Sequence, residues 1–338
     1  MMFINRTLIF SALMISVANA AQLITGAGAT FPYPLYSKWF AEYQKLDPEA
    51  QINYQSIGSG GGIRQFSEKT IDFGATDSPM NDEQISKAPA PLFHIPTVLG
   101  AVVIVYNLPG VEKGLKLTAD IVADIFLGKI TQWTDARITG LNPGIKLPVG
   151  ALMVVHRSDG SGTTGIFTDY LSKVNSEWKQ KVGVGTAVNW PVGLGGKGNE
   201  GVAGSVKQTP GSVGYVELIY AENNSLTYAA LKNSAGQFIL PSLKSVTAAA
   251  AGALKNMPED FRVSITDPEG KDAYSISGFT YLLVYKTMQG SKGKTIVEFL
   301  KWAIHDGQKF AEPLHYAPLP QALVKKVEAK IQQMALKQ

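Results

Sequence analysis

Residues 101–106 read AVVIVY, a continuous run of apolar and mostly β-branched residues. Such a run is typical of a strand that is buried on both faces, because a strand with one wet face alternates polar and apolar residues. A second apolar stretch, FTYLLVY, occupies residues 279–285. The sequence contains no flexible linker, so we predict that these two strands carry the chain between two domains and back.

The length of the chain also favours two domains. The sequence has 338 residues, and single hydrophobic cores seldom grow beyond about 250–300 residues. Two crossings make one domain discontinuous. We predict that it combines residues 21–104 with 278–338, and that residues 105–277 form the other domain.

The first twenty residues predict an export signal that is not part of the fold. Arg6 precedes a short apolar run at 7–17, and Ala18-Asn19-Ala20 fits the small-x-small pattern of a cleavage site. The run is shorter than the roughly 20 apolar residues of a membrane helix. The sequence also has no cysteine, which excludes disulfides, thiolate metal sites and a lipid-modified cysteine. We predict a periplasmic protein, with secretion beyond the periplasm as the alternative.

Composition narrows the class of protein. The chain is 45% hydrophobic and 17% charged, with a formal net charge of +4, and its lysines and acids are interspersed. These values are ordinary for a folded soluble protein and do not predict a nucleic-acid partner. Predicted strands and helices alternate, which favours α/β units with mainly parallel sheets. The strands are predicted at 51–57, 71–75, 101–106, 152–156, 213–216 and 279–285, and the helices at 62–69, 119–126, 162–174 and 294–305.

Four segments rich in glycine and hydroxyl residues stand out. Where a strand passes through a glycine turn into a helix, free backbone N–H groups and the helix dipole favour an anion. Two such junctions, at Ser59 and at 161–163, could grip one tetrahedral oxyanion from opposite sides. Arg157 adds a planar fork of donors, and Asp159 could hold that fork in place. The segments are TGAGATFP at 25–32, GSGGG at 58–62, GATDS at 74–78 and RSDGSGTT at 157–164.

Each segment alone also has a purely structural interpretation. The glycines at 58–62 could form only a turn, Ser161 only a helix N-cap, and Asp159 only a turn residue. Motifs of enzymes are missing: Gly195-Gly196-Lys197-Gly198 lacks the hydroxyl residue of a phosphate loop, and the four histidines are scattered. His156 should face away from Arg157 on a strand and therefore pack. We predict no catalysis, no cofactor and no metal.

Seven motifs in this order resemble the substrate-binding proteins of bacterial high-affinity ABC phosphate importers. The resemblance covers essentially the whole chain after residue 20. It implies a type II-like periplasmic-binding-protein fold, with two mixed sheets flanked by helices and joined by hinge strands, and one phosphate held between two lobes. It further implies a monomer that serves an inner-membrane permease and its ATPase. The motifs are TGAGATFPYPLYSKW, IGSGGG, DFGATD, LGKITQW, RSDGSGTT, WPVGLGGKGNEGV and PGSVGYVE.

The resemblance also implies the ligand residues. Phe31 and Gly162 would act through backbone N–H groups, and Asp159 would support Arg157. Asp77 is unexpected, because a carboxylate beside an anion repels it unless the ligand brings a proton. Phosphate carries that proton at neutral pH and sulfate does not, so we predict that Asp77 selects phosphate. The implied ligand set is Thr30, Phe31, Ser59, Asp77, Arg157, Ser161, Gly162 and Thr163.

Two other classes of protein stay open at this point. An exported phosphatase would need a metal site or an activated nucleophile, and hydrolysis of a phosphomonoester would reveal it. A surface or adhesion module would use phosphate only structurally, and a deletion strain would then grow normally on limiting phosphate.

Overall fold

The computed structural model describes residues 22–337, so the predicted export signal at 1–20 lies outside the described residues. The strands are β1 (Gln22–Gly28), β2 (Ala50–Ser56), β3 (Phe73–Thr76), β4 (Leu92–Tyr106), β5 (Lys116–Leu117), β6 (Met153–Arg157), β7 (Leu194–Gly196), β8 (Ser212–Glu217), β9 (Thr227–Tyr228), β10 (Ala230–Lys232), β11 (Phe238–Ile239), β12 (Ser277–Tyr285), β13 (Thr287–Gln289) and β14 (Ala335–Lys337).

The helices are α1 (Tyr33–Leu46), α2 (Ser59–Ser67), α3 (Asp82–Ser86), α4 (Ala119–Phe126), α5 (Ala136–Leu141), α6 (Gly162–Val174), α7 (Ser176–Lys181), α8 (Gly198–Gln208), α9 (Leu218–Asn223), α10 (Leu243–Lys255), α11 (Gly290–Ile304) and α12 (Gln321–Ile331). Short 3-10 turns at Asp306–Phe310 and Glu312–Leu314 lie between α11 and α12. In the described part of the chain, no helix is long and apolar enough to cross a membrane.

Strand β4 connects two halves of the molecule. It is longer than the predicted 101–106, with 15 residues beginning at Leu92. Its first part, Leu92 to Ala101, pairs antiparallel with β12. Its second part, Val102 to Tyr106, pairs antiparallel with β8. Residues 101–106 are fully buried, as their composition predicts.

The strands follow the order β2-β1-β3-β12-β4-β8-β6-β7, with β9 added beside β4. The outer strands are parallel, as in the pairs β1–β2, β1–β3, β6–β7 and β6–β8. The prediction of mainly parallel pairing is wrong for the centre of the molecule, where β4 and β12 run antiparallel to each other. The physical reason is that one of these strands leads the chain out of the first half and the other follows its return.

The return crossing lies slightly earlier than the predicted 279–285. All of β12 from Ser277 onward pairs with β4 or β3, so this strand belongs to the first half. The chain crosses just before it, where the Val102 N–H donates to the Ile276 carbonyl at 2.8 Å and the Tyr274 hydroxyl donates to the Val102 carbonyl at 3.0 Å. An apolar run predicts burial, but it does not reveal which strands lie beside it.

Each half has its own aromatic cluster. In the first, Phe40 packs on Phe299 with ring centroids 5.4 Å apart, and α1 thereby meets α11. In the second, Phe167 stacks on Tyr215 at 4.4 Å, which joins α6 to β8. These two clusters belong to one continuous hydrophobic core that extends through both halves.

Candidate anion site between the lobes

The two halves, here called lobes, meet where several strands end. The first lobe contributes the ends of β1 and β3 and the start of α2, and the second contributes the junction of β6 with α6. All the predicted site residues lie at this contact. The side chains of the six polar ones are at most 3% exposed: Thr30, Ser59, Asp77, Arg157, Ser161 and Thr163.

Two helix N-termini face the contact. Helix α6 begins where the sequence predicts, and its N-cap Ser161 accepts a hydrogen bond from the Thr164 N–H at 3.0 Å. Ser161 is therefore an N-cap whose hydroxyl proton is still free to be donated. Helix α2 begins at Ser59, three residues before the predicted start, after Gly58 with a φ of 86°. The first turns of both helices present backbone N–H groups, which favour an anion.

Arg157 and Asp159 form a bidentate ion pair. The Arg157 Nε and Nη2 groups donate to the two Asp159 carboxylate oxygens at 2.8 and 2.6 Å. The Gly198 N–H adds a third hydrogen bond at 3.0 Å. Burial pushes the pKa of Asp159 upward, but the hydrogen bonds and charge of Arg157 outweigh it and leave the pKa below its ordinary value. Asp159 thus fixes the guanidinium, whose Nη1 group lies 3.4 Å from the Thr163 hydroxyl.

Asp77 is the acceptor in a site otherwise made of donors. Its Oδ1 accepts from the Thr280 hydroxyl at 2.8 Å, while its Oδ2 is buried without a hydrogen-bond partner among the described residues. Burial raises the pKa of Asp77 to about 7, against the lowering effects of Thr280, Arg157 and Ser59. A buried oxygen without a hydrogen-bond partner is costly, so Asp77 Oδ2 is available to accept a hydrogen bond from a ligand.

The lobes touch closely around Asp77. The Gly60 N–H of the first lobe donates to the Gly160 carbonyl of the second at 2.9 Å. A Cβ atom on Gly162 would overlap the Ser59 hydroxyl and lie 2.5 Å from Asp77 Oδ2. Glycine is therefore required where the start of α6 meets the other lobe.

The structure adds residues that were not predicted for the site. Thr280 is polar within the apolar stretch 279–285, and that contrast was an available signal. Tyr220 and Tyr316 donate to the backbone carbonyls of Thr30 and Phe31 at 2.5 and 2.6 Å and so hold this loop. Asn199 contacts two site hydroxyls, and its place in the motif WPVGLGGKGNEGV was the signal available in the sequence.

His156 takes no part in the contact. Its ring stacks on Trp190 with centroids 4.8 Å apart, so it packs on the opposite side of β6 from Arg157, as the alternation of a strand predicts. Among residues 22–337, no three His, Cys, Asp or Glu side chains lie close enough to hold a metal ion.

Comparison with known proteins places the chain in a family. Residues 16–306 match the PBP superfamily domain. The sequence is 51% identical over 308 residues to the phosphate-binding protein PstS of Xylella fastidiosa (strain Temecula1), covering 90% of this chain and 84% of that protein. The chain belongs to the PstS family. The PstS of Pasteurella multocida is 47% identical over 317 residues, which are 93% of this chain and 91% of that one.

The fold of this PstS relative also matches solved structures. The high-affinity periplasmic phosphate-binding protein PfluDING, determined with phosphate bound, superimposes with a TM-score of 0.72. The match covers 91% of this chain and 93% of PfluDING at 23% sequence identity, so it shows the fold alone. The predicted two-lobed α/β fold is confirmed. The PstS relatives are named as binding proteins, in agreement with the prediction that this family member does not catalyse a reaction.

Proposed function

We propose that this protein binds inorganic phosphate between its lobes in the periplasm and delivers it to an ABC phosphate permease. The proposal rests on one observation: the site combines many hydrogen-bond donors with one carboxylate oxygen that has no hydrogen-bond partner in the described part of the chain. Hydroxyls, helix N-termini and Arg157 supply the donors, and Asp77 Oδ2 supplies the acceptor. A protonated tetrahedral oxyanion matches that set. The names of the PstS relatives support phosphate as this oxyanion.

The same set of groups supports a role for Asp77 in selectivity. A phosphate O–H can donate to Asp77 Oδ2, which has no other partner among residues 22–337. Fully ionised sulfate has no proton to donate, so above the pKa of Asp77 its oxygen would face a carboxylate oxygen in a buried site. Selection would then come from a penalty on the wrong anion as well as from contacts with the right one.

Calorimetric titration of the mature protein with phosphate and with sulfate at pH 8, where most of Asp77 is ionised, tests both parts of the proposal. We expect phosphate to bind and sulfate to bind at least about a hundredfold more weakly. The isosteric change Asp77→Asn should reduce this ratio by tenfold or more, because an amide can donate to sulfate. Asp272→Asn, at an exposed position, is the matched control and should leave the ratio unchanged.

The titrations distinguish failure of the proposed function from failure of the proposed role of Asp77. If the unaltered protein does not bind phosphate, the proposed function is wrong. If it binds phosphate selectively and Asp77→Asn discriminates equally well, only the role of Asp77 is wrong.

Delivery to a permease requires that the two lobes move relative to each other when the ligand binds. We propose lobes of residues 21–104 with 278–338 and of residues 105–277, closing as a monomer around the ligand. Because ligand groups come from both lobes, phosphate would favour the closed arrangement. A deletion strain complemented with this gene should regain growth on limiting phosphate. Normal growth of the uncomplemented deletion strain would contradict delivery as the role.

A further inference from the structure

One buried side-chain amide joins hydroxyls from the two lobes. Asn199 is the second residue of α8 and is fully buried. Its Nδ2 lies 2.8 Å from the Thr30 hydroxyl of the first lobe and 3.1 Å from the Thr163 hydroxyl of the second. Both threonines belong to the proposed phosphate site, whereas Asn199 was not among the predicted ligand residues.

The orientation of this amide is fixed by its other end. The Glu217 backbone N–H lies 3.0 Å from Asn199 Oδ1. A backbone N–H can only donate, so the atom it meets must be the amide oxygen. The amide nitrogen, which can only donate, therefore faces the two threonine hydroxyls.

Both hydroxyls consequently have their acceptor positions filled. A hydroxyl oxygen has two lone pairs and one proton. Thr30 Oγ1 accepts from Asn199 Nδ2 and also from the Asn199 N–H at 3.3 Å. Thr163 Oγ1 accepts from Asn199 Nδ2 and from Arg157 Nη1 at 3.4 Å. The proton of each hydroxyl is then the only part left to interact with a ligand.

We propose that Asn199 is a positioning residue that turns Thr30 and Thr163 into obligatory donors. The inference rests on the proposed phosphate site and adds to it. With these two hydroxyls unable to accept, fewer groups compete with Asp77 Oδ2 to accept from the O–H of a phosphate ion. Asn199 thereby helps to orient the bound ion. It acts through the two threonines and does not itself contact the ligand.

A double-mutant cycle on phosphate affinity tests the inference. Asn199→Ala should weaken phosphate binding by about tenfold or more, since each freely rotating hydroxyl loses part of a hydrogen bond. In a Thr30→Val/Thr163→Val background, the same change should alter affinity by less than about twofold. Asn223→Ala, at an exposed position in α9, is the matched control and should have no effect in either background.

A merely structural role for Asn199 would produce a different result. Equal losses in both backgrounds would overturn the inference, because the effect would not pass through the threonines. Thermal unfolding without phosphate checks that each variant folds. If Asn199→Ala does not fold, the similarly sized and uncharged Asn199→Leu replaces it, because it also removes the amide donors. Failure of the unaltered protein to bind phosphate would instead contradict the proposed function.

Discussion

Single residues set the protonation chemistry of the site. Asp77 is held in a buried position where its pKa rises to about 7, and its neighbours supply hydrogen bonds to only one of its two oxygens. Below that pKa the carboxyl is protonated and can donate; above it, the carboxylate can only accept. The same residue therefore changes its preference for an anion with pH.

This change predicts how sulfate affinity varies with pH. As the pH falls from 8 to 5.5, Asp77 gains a proton, and sulfate binding should strengthen by about tenfold in total, with most of the change above pH 6 and a plateau below it. Sulfate itself does not titrate in this range. Calorimetry at several pH values measures the effect, and Asp77→Asn should remove the part of it that Asp77 causes. The same slope in both proteins would contradict the assignment.

Removal of the Arg157 guanidinium should weaken phosphate binding. Three of its side-chain nitrogens meet Asp159 or Thr163, so the guanidinium is already oriented for a ligand. Arg157→Ala should weaken phosphate binding by roughly 1.5–3 kcal/mol, the value of a hydrogen bond to a charged group. Arg137→Ala, which removes an exposed arginine bound to Asp124 and Asp135, is the control. Affinity equal to that of the unaltered protein would remove Arg157 from the site.

At the scale of elements, helices α2 and α6 meet through their first turns. Both helix starts are closely packed: a Cβ on Gly162 would lie 2.4 Å from the Ser59 hydroxyl, and a Cβ on Gly60 would lie 3.1 Å from the Gly160 Cα. This close contact brings two sets of free N–H groups from different lobes toward one point. Glycine is therefore needed here for contact between the lobes, whatever its effect on the helix.

Gly162→Ala tests that requirement. The added Cβ would lie 2.5 Å from Asp77 Oδ2 and should prevent the lobes from meeting, so phosphate affinity should fall by at least about a hundredfold. The free energy of unfolding without ligand should not fall, because alanine is favoured over glycine in a helix by up to about 1 kcal/mol. Gly204→Ala in α8, where a Cβ meets nothing within 4 Å, is the control and should bind normally. Normal binding by Gly162→Ala would show that the lobes need not approach this closely.

The whole molecule behaves as two lobes that share one strand. Strand β4 pairs with β12 in one lobe and with β8 in the other, and the chain returns beside it at Ile276. We propose that these two neighbouring connections form the hinge about which the lobes rotate. Ligand binding and unfolding should therefore be coupled across the whole chain.

That coupling predicts the response to phosphate in solution. At a free phosphate concentration 100 times Kd, stability should rise by about 2.7 kcal/mol, and a single thermal transition should move upward by several degrees. Small-angle scattering should show a smaller radius of gyration with phosphate, and Gly162→Ala should show no such change. Two separate transitions would indicate that the lobes unfold independently.

Much of the architecture could be predicted from local patterns. The predicted helices at 119–126 and 162–174 match α4 and α6, because their ends carry capping and stop signals. The predicted start of α2 at residue 62 lies three residues after the observed start at Ser59. Its first turn holds three glycines, which have low helix propensity, and contacts such as the hydrogen bond of Gly60 to Gly160 favour the helical turn there.

Local sequence patterns suffice to predict the alternating α/β elements, the buried crossing strand at 101–106 and the residue types of an oxyanion site, because these depend on local periodicity and on turn and helix-end chemistry. How those residues meet follows from the three-dimensional fold. It gave the antiparallel pairing of β4 with β12, the partner Thr280 of Asp77, and the place of Asn199 between Thr30 and Thr163. These contacts join residues distant in sequence, and local patterns do not record which distant atoms share a hydrogen bond.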